Sequence, residues 1–179
     1  TTNKKARRGL SNVMGSLLLI ILTAVAALLL GHYAFGVMNT AQHNPSIAIA
    51  DASAINPGNN GPTGAPVYVQ FTVYDNGNTP IVLQQIDIAG ITVNNIGLIL
   101  LPGQTISFNA TITYSTNTYY LTVTSGVGNK YTASASSIQS STGNLNVGST
   151  IVVQALGYVQ GDMVAGQWVY AQAPVTIQD

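Results

Sequence analysis

The side chains able to do chemistry are few and scattered. The chain holds two histidines, no cysteine and five acidic residues, all of them aspartate. His32 sits inside an apolar run, where a packed or interfacial imidazole is the expectation. His43 follows that run, where a cation would favour the negative end of a helix. Asp51, Asp75, Asp87 and Asp162 are spread among different segments and never pair at a spacing that suits general acid and base work. "DNGN" at residues 75–78 is faintly like a calcium loop, but without further carboxylates it reads as a turn. Trp168 and the nine tyrosines are aromatic surface that could take sugars, or simply core and outer face. "NAT" at residues 109–111 is an N-glycosylation sequon. None of this assembles a nucleophile, a base and an oxyanion site, so the expectation is a non-enzyme with no cofactor and no metal.

The elements that carry these residues divide into two kinds. Residues 10–42 read as one helix, with Leu, Ala, Ile and Met dominant and no proline. Asn44-Pro45 is its natural stop, because proline lacks the needed N–H and disfavours helix just before it. At 1.5 Å per residue this is about 50 Å of helix. Its centre, residues 17–30, is apolar on every face and so must be covered all round. After Ser46 the period becomes two. "PVYVQFTVYDNGN" puts Val67, Val69, Phe71 and Val73 on one face and ends in a turn signal. "QTISFNATIT" turns Ile106, Phe108, Ala110 and Ile112 inward and Asn109 outward. "YYLTVTS", "STIVVQALG" and "QWVYAQAPVTIQ" read as further strands, and "NPGNNGPTGAP" as a loop. Gly and Pro punctuate at sandwich-like intervals. The fold class is α+β: a long hydrophobic N-terminal helix, then an all-β immunoglobulin-like sandwich head. The division is 1–9 basic leader, 10–43 helix, 44–66 linker and first strand, and 67–179 head.

Charged residues make up 6% of the chain, against about 25% in ordinary soluble proteins. Four of the five basic residues lie within the first eight positions. The remainder is acidic, which argues against a nucleic-acid partner, since phosphate binding needs a basic surface. Solubility must come from hydroxyl and amide side chains, as on an extracellular surface.

A basic start leading into so long an apolar stretch admits three readings. A secretory signal peptide would exit at Ala34-Phe35-Gly36. A membrane anchor would use residues 17–38 to cross about 30 Å of hydrocarbon, with the basic end inside. A filament subunit would pack the helix against copies of itself. Ser16, Ala24, Ala27, Gly31 and Ala34 fall near one helical stripe, where small residues let backbones approach.

"KKARRGLSNVMGSLLLIILTAVAALLLGHYAFG" resembles the class III signal and N-terminal helix of archaeal type IV pilins, relatives of the archaellins. "FTVYDNGNTPIVLQQIDIAGI" and "LILLPGQTISF" resemble, more loosely, the β-sandwich heads of those families. The resemblance implies recognition of Arg7, Arg8 and Gly9 by a prepilin peptidase, which cuts after Gly9 and leaves Leu10 first. Bacterial pilins carry a glutamate five residues into the mature chain; Met14 stands there here, which points to the archaeal branch. The implied function is the major subunit of a helical homopolymer, stored in the membrane and assembled by an ATPase and a membrane platform. The extracellular pilus would serve adhesion, biofilm formation or twitching. An archaellin-like swimming filament and a membrane-anchored surface binding module are the alternatives. Asn109 is the candidate glycan carrier.

Overall fold

Helix α1 runs Asn3–Gln42, starting earlier than the periodicity predicts and ending where it predicts, just before Asn44-Pro45. The continuation into the leader has a simple cause. Lys4, Lys5, Ala6, Arg7 and Arg8 are good helix formers, and no breaker separates them from Leu10. The computed structural model describes residues 3–42, 44–58, 66–161 and 168–179, with side chains in α1 described for 11–35. The chain divides into two compact units, Thr1–His43 and Asn44–Asp179.

The second unit is all β. Its strands are β1 (Ile47–Ile55), β2 (Val67–Asp75), β3 (Ile81–Ile88), β4 (Ile91–Val93), β5 (Leu98–Leu100), β6 (Thr105–Ser115), β7 (Thr118–Ser125), β8 (Lys130–Ala135), β9 (Thr150–Val159) and β10 (Trp168–Gln178). Hydrogen bonds link them in the order β4-β3-β9-β10-β1-β2-β6-β7-β8, with β5 paired to β3. All pairings are antiparallel except β1 with β10, which is parallel. The two ends of the path approach each other, since β4 lies beside β8. The Tyr131 hydroxyl of β8 donates to the Ile96 carbonyl just after β4, at 2.9 Å.

The expected β-rich head with one core is therefore present, but its sheet is barrel-like and does not separate into the two sheets of an immunoglobulin-like sandwich. The parallel β1–β10 seam is the cause: it joins what would otherwise be two sheets into one path.

The period-two reading of the inner face holds in detail. Val67, Val69, Phe71 and Val73 are buried, as are Ile106, Phe108, Ala110 and Ile112. Phe71 and Phe108 pair directly across β2 and β6 and stack with ring centroids 5.2 Å apart. Each such buried valine, isoleucine or phenylalanine contributes about 1.5–3 kcal/mol. β1 breaks the alternation: its register against β2 shifts between Ala50 and Ser53, and Asp51 there has φ 52°. That is a β-bulge, with the extra residue absorbed in a left-handed conformation.

Candidate functional site

The exposed surface of α1 is the first candidate. Every described side chain of α1 is exposed except Gly31, which is intermediate. Leu28 is 74% exposed, Tyr33 73% and Phe35 75%. The apolar span Ser11–Phe35 is 25 residues, or about 37 Å of helix, more than the roughly 30 Å of a bilayer's hydrocarbon. Its polar groups are few and partly self-satisfied: the Thr23 hydroxyl donates to the Leu19 carbonyl one turn back. Length and composition thus suit lipid or a bundle of like helices equally. Ser16, Ala24, Ala27, Gly31 and Ala34 all lie on this helix, in its exposed part. His32 is exposed there as well. Arg7, Arg8, Gly9 and Leu10 belong to its first turns, in helical backbone. His43 and Asp162 lie outside the described residues.

The "DNGN" loop is the second candidate, and it does more than reverse the chain. Asp75 ends β2 fully buried, and its Oδ1 accepts from the Gly77 amide at 2.9 Å. Gly77 then donates to the Ser46 carbonyl, and the Asn78 amide to the Asn44 carbonyl, each at 3.2 Å. The Asn44 amide returns a bond to Asn78 Oδ1 at 2.7 Å. The loop therefore grips residues 44–46, the first of the β unit. Only glycine fits, because a Cβ on Gly77 would stand 2.2 Å from the Asn44 oxygen. Asp75 Oδ2 is buried with no hydrogen-bond partner among the described residues. Burial pushes this carboxyl above the ordinary aspartate value, opposed by the Gly77 hydrogen bond. No group of three or more potential metal ligands occurs among the described residues. The turn reading therefore accounts for this geometry, and its partner segment is what the sequence did not signal.

Asn109 is exposed at the middle of β6, opposite Gln70 of β2 and Thr124 of β7. Its neighbours Phe108 and Ala110 point into the core. The side-chain amide thus faces solvent, as a glycan acceptor must.

Within the β unit, the loop and Asn109 are separate features. A further surface, unmarked in the sequence, lies on the outer face of β3, β9 and β10. Asp87, Gln154 and Gln172 stand side by side there across the three strands, beside Gln85, Leu156 and Tyr170. Strand periodicity could have placed them on one face, but their adjacency depends on strand order. A scan against protein-family models finds no match for the chain, and a search of curated proteins finds no similar sequence.

Proposed function

We propose that this chain is the structural subunit of an extracellular helical filament, the major pilin of an archaeal type IV pilus. One observation carries the reading: the 25-residue apolar span of α1, Ser11–Phe35, which holds no charged residue, is exposed on every described face, while the β unit has a core of its own. Burying each exposed leucine, isoleucine or phenylalanine of α1 is worth about 1.5–3 kcal/mol, so α1 demands lipid or other helices. In this reading it rests in the membrane first and then joins a bundle of α1 copies, with Ser16, Ala24, Ala27, Gly31 and Ala34 at close approach. The β unit is the head, in the place of the immunoglobulin-like sandwich that the resemblance implies. A prepilin peptidase cuts between Gly9 and Leu10, in a helical turn that must first unwind; Gly9 is its weakest helix former. An ATPase and membrane platform drive assembly. The work is polymerisation and surface contact, without catalysis.

The test is Ala27→Glu in the full chain, followed by electron microscopy of material sheared from the cell surface. An unpaired carboxylate in a dry bundle is costly, so filaments should vanish while the β unit stays folded. Normal filaments would overturn the placing of this face in the core. Native chain that remains monomeric in the membrane would favour the anchored module, and loss of swimming in the mutant would favour the archaellin-like alternative.

A further inference from the structure

We propose that the outer face of β3, β9 and β10 is a binding site for a neutral oligosaccharide. Two shallow cavities lie on this face, of about 270 and 90 Å³, and Asp87 and Gln154 line both. The smaller is completed by Gln85, Leu156 and Tyr170. The larger is walled by the Ala89-Gly90 turn and by Gln139, Ser140 and Ser141. Even the larger is below the roughly 300–1,000 Å³ of a drug-sized pocket, so it admits a ring or part of one while the rest of a ligand lies along the surface.

The lining specifies the ligand class. Each glutamine amide offers both donors and acceptors, which matches a hydroxyl that does both. The side chains of Gln85 and Gln154 make no hydrogen bond among the described residues, so their capacity is unspent. The Asp87 carboxylate is held in place, accepting from the Gly90 amide at 3.0 Å and from the Thr92 hydroxyl at 2.7 Å. A carboxylate retains acceptor capacity beyond two bonds. Among the described residues no cation lines either cavity, so the lining offers an anionic ligand no counter-charge.

Aromatic surface adjoins the polar patch. Tyr170 and Trp168 alternate along β10 on this face, 54% and 49% exposed, and about 6.8 Å apart by strand rise. Tyr158, opposite Trp168 in register, meets the indole edge-on with centroids 5.5 Å apart. That contact restricts the indole before any ligand arrives. The Tyr170 hydroxyl is held by Gln172 Oε1 at 2.7 Å. Pyranose rings have an apolar C–H face and a hydroxyl rim. Aromatic faces beside amides and a carboxylate complement both.

Trp168 is the chain's single tryptophan, so its emission reports directly on this face. The full chain is dispersed in a detergent without a sugar headgroup and titrated with neutral hexasaccharides of β-1,4-glucose, β-1,4-N-acetylglucosamine and α-1,6-mannose. Hexagalacturonate serves as the anionic control. At least one neutral probe should shift Trp168 emission, half-saturating at about 1 mM or below, and the anion should not. Gln154→Ala and Tyr170→Ala keep the reporter and should each weaken binding about tenfold, with circular dichroism unchanged. Calorimetry should show the same loss for Trp168→Ala. Failure of all neutral probes, equal binding of the anion, or unchanged affinity in all three variants would overturn the assignment. So would Trp168 inaccessible to acrylamide in intact filaments, which would make this face a contact between subunits.

Discussion

Replacing Gly77 with alanine should unlatch residues 44–46 from the rest of the β unit. The added methyl carbon would stand 2.2 Å from the Asn44 oxygen and 2.7 Å from the Ser46 nitrogen, where non-bonded atoms prefer about 3.5 Å. Both obstacles are backbone, so no side chain can swing away. Residues 44–46 must move by an ångström or more, on the order of the overlap. The bonds Gly77 N to Ser46 O, Asn78 N to Asn44 O, and Asn44 N to Asn78 Oδ1 then stretch or break. At about 0.5–1.5 kcal/mol each, their loss costs about 1.5–4.5 kcal/mol. Restricting the unfolded chain returns about 0.4–1 kcal/mol, since Gly77 does not occupy a left-handed conformation. The net is about 1–4 kcal/mol of destabilisation, or a melting temperature lower by roughly 3–12 °C at about 3 °C per kcal/mol. Thermal unfolding of the full chain in detergent, followed by the β-sheet dichroism signal, measures it. Gly126→Ala is the control, because its Cβ would meet nothing closer than 3.4 Å and should cost little. A Gly77→Ala melt within about 1 °C of wild type, or one matched by the control, would refute the latch.

Gly9→Val should block processing and filament formation, and terminal sequencing of purified native filaments should begin at Leu10; a start at Thr1 would exclude Gly9 as the cut site, and one near Phe35 would point to ordinary secretion. Intact masses of native chain and Asn109→Gln should differ by a glycan beyond the substitution itself, and equal masses after that correction would remove Asn109 as a carrier. The raised carboxyl of Asp75 has a signed consequence: between the unfolded value and the higher folded one the native state binds more protons, so this group's contribution to stability falls as pH rises through that window. Melts from about pH 7 down to about pH 3 should therefore show a gain for wild type that Asp75→Asn lacks, and an unchanged profile in the variant would refute the assignment.

What the sequence carried was faces and ends. The strict alternation at residues 67–73 and 106–112 tells which side chains are buried, because a strand has only two faces. The stop at Asn44-Pro45 follows from proline geometry, and it holds. Partners were another matter. Alternation in β3, β9 and β10 places Asp87, Gln154 and Gln172 outward, but nothing local says that three distant strands set them side by side. β1 was harder still: the left-handed Asp51 breaks its period, so its pattern reads as neither face. The latch was illegible for a similar reason, since "DNGN" announces a turn without naming the backbone it will grip. The apolar helix was legible in type but not in start, because the basic leader has no breaker to mark where α1 should begin.

The parallel seam between β1 and β10 also sets an order of events. Ala54 lies opposite Ile177, and Ile55 opposite Gln178, so the first strand of the β unit finishes its pairing with the last. At a synthesis rate of about 5–20 residues per second, β1 waits about 6–25 s for that partner. Hairpins such as β6–β7 can close early, because their ends are adjacent and little loop entropy opposes them. The ring of strands cannot. Loss of the final few residues would therefore leave every hairpin possible, β9–β10 included, while exposing the facing edges of β1 and β10, since the shortened β10 would keep its pairing with β9 and lose the residues that pair with β1. Folding should then be limited by the long-range β1–β10 encounter, at a rate insensitive to the turn sequences and sensitive to Ile177.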